Sequence, residues 1–201
     1  MPFKTAHAIF YHIHKTGGTW VKRAMKQAGV PRRECQTAGV HPLIGHTRAH
    51  ATPRMTSEED KKDRFSFCFV RHPAAWYRSM WMWIPNKTRP YDGPLGDYWS
   101  DDFGEWVEMM IDAFPGGFVS QLYSLYVLDV DFVGRTEQLE DGLVYALTQA
   151  GERFIEPILR AVPPQNVRAS RIKHIGRGIV TPELRQRIEN AERWTMDRFY
   201  R

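Results

Sequence analysis

Only two cysteines occur in 201 residues, Cys35 and Cys68, and neither has a His or Cys neighbour at metal-ligand spacing. That excludes a disulfide scaffold and a zinc-finger-like module, and both side chains are read as reduced thiols. No apolar stretch approaches the ~20 residues a membrane span needs. The first residues carry Lys4 and then an apolar run broken by His7, His12 and His14 with no small-residue cleavage site, so they do not read as a signal peptide. A soluble, cytoplasmic protein with no membrane partner is expected. Internal repeats and low-complexity tracts are missing too. So is the Walker order of Gly, four residues, then Gly-Lys-Ser/Thr, which disfavours an ATPase or GTPase.

What is present bounds the class. The length suits one domain, residues 1–201, and 42% hydrophobic with 13% aromatic residues supplies a core. A net charge of +5 favours anionic ligands, yet the basic residues are dispersed rather than massed. Residues 8–14 and "FSFCFV" at 65–70 read as buried strands, each followed by a turn and a helix, over 19–27 and from Pro73 to about Met82. Helical patterns recur at 103–113, 118–127 and 139–150, a short strand is expected at 130–133, and Thr181 with Pro182 opens a last helix. Between them, 31–64 reads as irregular and 85–104 as a long loop rich in Pro and Gly. Strands alternating with helices predict a three-layer α/β domain, a central mainly parallel sheet flanked by helices.

In such a domain ligands collect at the carboxyl ends of the strands, where main-chain N–H groups and a helix N-terminus meet an anion. "HKTGGTW", residues 14–20, occupies that place. Gly17 and Gly18 allow the backbone to curl around a phosphate, Thr16 and Thr19 carry hydroxyl donors, and Lys15 brings a mobile charge. A second element, "FVRHPAAWYRS" at 69–79, ends a strand at Arg71 and puts Ser79 eight residues on, about two helical turns. Arg71 offers phosphate a planar fork of donors and Ser79 a neutral hydrogen bond.

These two elements resemble the phosphate loops of sulfotransferases that use 3'-phosphoadenosine 5'-phosphosulfate (PAPS). Lys15-Thr16-Gly17-Gly18-Thr19, followed by Trp20, is similar to the 5'-phosphosulfate loop, and Arg71 with Ser79 to the 3'-phosphate element. "VDFVGRTEQL" at 130–139 resembles the late strand and turn of the same family, and "RASRIKHIGRG" its closing basic loop. The resemblance implies a P-loop NTPase-like sulfotransferase fold and a nucleotide site made of Lys15, Thr16, Gly17, Gly18, Thr19, Trp20, Arg71 and Ser79. It implies PAPS as sulfuryl donor, no metal, and a hydroxyl or amine acceptor on a carbohydrate or small molecule. It also implies PAP as the product and no nucleic-acid partner.

Charge develops on the bridging oxygen of the departing phosphate in such a transfer, and Lys15 suits its neutralisation. A hydroxyl acceptor must lose a proton, and the candidates lie in "GVHPLIGHTRAHATP": His41, His46 and His50. His46 is preferred, because "IGH" resembles the place of a histidine base in carbohydrate-type members, with His50 next. His12 and His14 read as packed or loop-lining. Arg168, Arg171, Lys173 and Arg177 are open between ligand contact and a solvated loop, and the tryptophans from Trp76 to Trp106 between acceptor stacking and core. Two other classes compete: a kinase-like phosphotransferase, which the lysine placed before the glycines disfavours, and a noncatalytic nucleic-acid or glycan-binding domain, supported by charge alone.

Overall fold

A computed structural model of the chain describes residues 1–45, 48–83, 97–164 and 178–201. They fall into two compact units that interleave along the chain: the described parts of 1–41, 47–70 and 125–167 form the first, and those of 42–46, 71–124 and 168–201 the second.

The first unit holds the sheet: β1 (Phe3–Lys4), β2 (Ala8–Tyr11), β3 (Arg33–Glu34), β4 (Phe65–Val70) and β5 (Phe132–Arg135), in the order β3-β1-β2-β4-β5. β2, β4 and β5 are parallel, with Tyr11 opposite Cys68 and Val70 opposite Arg135, while β1 and β3 add a short antiparallel edge. The helices of this unit are α1 (Gly18–Gln27) and α2 (Glu58–Lys61), and after the second unit's α3 (Pro73–Trp81) and α4 (Phe103–Ala113), α6 (Leu139–Gln149) and α7 (Glu156–Arg160). Residues of α5 (Phe118–Val127) divide between the units after Ser124. α8 (Pro182–Ala191) and α9 (Arg193–Phe199) complete the second.

Period-two alternation sends Phe10, Phe67 and Phe69 to one face of the sheet, where they meet Trp20, Val21, Ala24 and Met25 of α1 and Leu143 and Leu147 of α6. Ring centroids of Phe10 and Phe67 lie 5.2 Å apart, and each such buried ring contributes about 2–3 kcal/mol. The opposite face, Ile9, Tyr11, Cys68 and Val70, is buried as well. That is why "FSFCFV" is apolar throughout: both faces of its strand are covered. The sheet is therefore central, mixed but mostly parallel, and flanked by helices, as the alternation predicts. The expected strand at 130–133 begins instead at Phe132, because the Asp131 carboxylate turns back to accept from the N–H and hydroxyl of Ser66, both at 2.7 Å.

In the second unit Trp76 and Trp106 are fully buried and Trp81 nearly so. Trp81 donates its indole N–H to the Ser100 carbonyl at 3.0 Å and Trp106 to that of Tyr98 at 3.1 Å. These rings are core rather than stacking platforms. Thr181 caps α8 as its spacing predicts, accepting from the Leu184 N–H at 3.2 Å, with Pro182 in the first turn. Helix α8 ends at Glu192, where α9 begins. Of the long loop at 85–104, residues 85–96 lie outside the described residues. Among the described residues no helix is long and apolar enough to cross a membrane.

Candidate active site

The segment between β2 and α1 turns sharply at two points. Lys15 sits at φ 63°, in the left-handed region that non-glycine residues rarely occupy. Gly17, at φ 85°, is the residue before α1, and its carbonyl accepts from the Val21 N–H at 3.1 Å. Gly18 is small for a different reason: a Cβ there would lie 1.9 Å from Cδ2 of His12. The histidine ring packs against Gly18 in the first turn of α1, whose first N–H groups have no partner within the helix.

Thr16 faces inward. Its side chain is fully buried and its hydroxyl donates to the Ile13 carbonyl at 2.9 Å, so it braces the loop from inside. Trp20 likewise turns its indole into the core and donates to the Val162 carbonyl at 3.1 Å. What these two can offer a ligand is the main-chain N–H. Thr19, by contrast, is exposed.

Because β2, β4 and β5 are parallel, their carboxyl ends lie at one end of the sheet, and "TEQL", residues 136–139, follows β5 there. The Thr136 hydroxyl donates to the Val70 carbonyl at 2.9 Å and lies 3.3 Å from that of Thr16. Leu139 presses against Gly17, with Cδ2 at 2.8 Å from where a Cβ would stand. The third sequence landmark thus buttresses the first.

Three imidazoles gather beside the loop. The His50 ring is 4.7 Å from that of His12 and 4.5 Å from that of His14, centroid to centroid. His50 Nδ1 is 2.8 Å from the His12 carbonyl. A carbonyl only accepts, so Nδ1 carries the hydrogen and Nε2 keeps a free lone pair. Burial lowers the His50 pKa to about 4, and burial together with His50 holds His12 well below the ordinary histidine value, so both rings are neutral at neutral pH. Tyr126 donates its hydroxyl hydrogen to the His50 carbonyl and therefore accepts, at 3.1 Å, from Nε2 of the buried His41. His41 and Tyr126 thereby fix the main chain at His50. His46, the histidine that the sequence favours, lies outside the described residues, as do Arg168, Arg171, Lys173 and Arg177.

Arg71 and Ser79 belong to the second unit, Arg71 as the residue after β4 and Ser79 on α3, both half-buried. The Arg71 N–H donates to the Tyr123 hydroxyl at 3.0 Å, and that hydroxyl donates to the Arg71 carbonyl at 2.9 Å. Sequence reasoning missed Tyr123 and Tyr126, which look there like ordinary core aromatics. Their separation by three places them on one face of α5, the one signal that could have singled them out.

No protein-family model matches the chain, and no curated protein does. Among solved structures it is similar to mouse sulfotransferase SULT7A1, determined in complex with PAP, with a TM-score of 0.58 and 11% identity over 94% of this chain and 83% of that one. At that identity the likeness speaks for architecture alone: the chain has a sulfotransferase fold.

Proposed function

We propose that this protein is a PAPS-dependent sulfotransferase that transfers a sulfuryl group to a hydroxyl, or an amine, of a small molecule or carbohydrate. The observation that carries the reading is the loop from His12 to Trp20, with Lys15 held in the left-handed region just before the open N–H groups of α1. The sulfotransferase fold, a neighbour solved with PAP, and the spacing of Arg71 and Ser79 support it.

In the proposed reaction the acceptor oxygen attacks sulfur, the bond from sulfur to the phosphate oxygen breaks, and the electron pair stays on that oxygen beside Lys15. The acceptor proton passes to a histidine of the segment after α1, either His46 or His50, whose tautomer leaves Nε2 unprotonated. PAP departs as the second product, its 3'-phosphate held by Arg71 and Ser79. Most of the catalysis is then positioning and charge stabilisation.

Thermal unfolding with PAP, ADP and ATP plus Mg²⁺ in parallel tests the reading. At about a hundred times its Kd, PAP stabilises by about 2.7 kcal/mol, a rise in Tm of roughly 5–10 °C. No response to PAP together with a clear response to ATP plus Mg²⁺ would overturn the proposal in favour of a phosphotransferase. For the base, His50→Ala is expected to keep the PAP-induced shift and slow conversion of PAPS to PAP by about a hundredfold. Undiminished turnover in that variant returns the role to His46.

A further inference from the structure

We propose that Tyr123 is a positioning residue for nucleotide selectivity: by holding both main-chain polar groups of Arg71 with one hydroxyl, it fixes the arginine that distinguishes a 3'-phosphorylated nucleotide from a plain one. This rests on the PAPS reading above and concerns the half of the site that reading assigns to Arg71.

Strand pairing carries β4 as far as Val70, opposite Arg135, and Arg71 is the next residue. A peptide group that leaves a sheet must find other partners when water is scarce. Tyr123 supplies both, accepting from the N–H at 3.0 Å and donating to the carbonyl at 2.9 Å. Its side chain is fully buried, and burial raises its pKa well above the ordinary tyrosine value. The phenol therefore stays protonated, and its one hydrogen is committed to Arg71 rather than available to a ligand.

The next residues are held just as firmly. The Ala74 N–H donates to His72 Nδ1 at 3.3 Å, which puts the His72 hydrogen on Nε2, facing Glu189 at 3.4 Å. The His72 ring meets Tyr200 edge-on, centroids 5.0 Å apart, and Pro73 fixes the first turn of α3. Tyr123 of α5 thus holds the main chain of Arg71, and the His72 ring that accepts from Ala74 is itself held between Glu189 of α8 and Tyr200. An arginine presented from so fixed a base gives up only side-chain freedom on binding phosphate, and a base that drifts loses the bidentate geometry first. A ligand without a 3'-phosphate gains nothing from that arrangement. The site therefore predicts a change in selectivity, not a uniform loss of affinity.

The test measures Kd by calorimetry for PAP and for AMP, which lacks the 3'-phosphate, on the wild type, Arg71→Ala and Tyr123→Phe. The wild type is expected to prefer PAP by about a hundredfold, and Arg71→Ala to erase that preference. Tyr123→Phe is expected to weaken PAP about tenfold and AMP less than about twofold. An unchanged PAP-to-AMP ratio in Tyr123→Phe overturns the positioning role and leaves the PAPS reading standing. A wild type that does not prefer PAP overturns the PAPS reading itself. If Tyr123→Phe does not fold, hydrogen exchange at the Arg71 amide of the ligand-free wild type decides: protection is expected, and free exchange overturns the role.

Discussion

Replacing Glu192 by alanine is expected to cost about 4 kcal/mol of folding stability and to lower Tm by about 10 °C. Glu192 stands at the break between α8 and α9 and is wholly buried. One carboxylate oxygen accepts from the Tyr77 hydroxyl at 2.8 Å and the Val119 N–H at 2.9 Å, the other from the Ser120 N–H at 2.6 Å and its hydroxyl at 2.7 Å. Those two N–H groups belong to the first turn of α5, where they have no intrahelical partner and where the helix dipole favours a negative group. Burial pushes the Glu192 carboxyl above the ordinary glutamate range, and its donors oppose that shift. Truncation leaves hydroxyls that can turn elsewhere, but two buried N–H groups that cannot, each worth about 1–3 kcal/mol, together with a cavity. Glu192→Gln keeps the shape and faces an amide NH₂ toward some of the donors, so roughly half the loss is expected. Urea unfolding of both variants measures this, and a loss below about 1 kcal/mol for the alanine variant contradicts the account.

Glu192 also shows where sequence reading stops. Leu184, Ile188, Ala191 and Thr195 keep helical spacing, so the pattern reads as one helix, and nothing in it announces a buried carboxylate. The break exists because a helix elsewhere in the chain needs that carboxylate, and such a contact carries no periodicity. β1 and β3 escaped for a related reason, since two-residue strands are too short to show alternation. Longer elements were legible: β4 matches "FSFCFV" residue for residue, and α4 and α5 match the expected 103–113 and 118–127.

At the site, sequence order located the loop, yet the reasons for its residues are tertiary. Two glycines read as freedom to approach a phosphate. In the structure Gly17 supplies a left-handed turn, while Gly18 makes room for the ring of His12, six residues earlier. Thr16 reads as a ligand donor, and in the structure its hydroxyl donates to the Ile13 carbonyl of the same loop. Among the three histidines of "GVHPLIGHTRAHATP", spacing alone could not show that His41 holds Tyr126 and that His50 meets the rings of His12 and His14.

Lys15 joins both strands of reasoning, strain and chemistry. A non-glycine residue at φ 63° is held against a penalty of about 1–2 kcal/mol, and such strain persists where the surroundings demand it. Here the surroundings are Gly17 at φ 85°, the buried Thr16 with its bond to Ile13, and Leu139 against the turn. Glycine would adopt the same backbone without strain, after allowing for its larger entropy loss of about 0.5–1 kcal/mol on folding. Lys15→Gly is therefore expected to raise stability by about 0.5–1 kcal/mol. The same change removes the ammonium assigned to the leaving phosphate oxygen, so conversion of PAPS to PAP is expected to fall by roughly 10²–10³. Lys15→Ala separates the two effects, since alanine keeps the strained backbone without the charge: turnover should fall equally while stability does not rise. Urea unfolding and single-turnover kinetics on the two variants provide the measurements. A stable but still active Lys15→Gly enzyme would remove Lys15 from the chemistry, and a destabilised one would show that the left-handed turn is not strained. A gain in stability with loss of turnover in glycine, and loss of turnover alone in alanine, identifies a residue held in an unfavourable conformation for the sake of its charge.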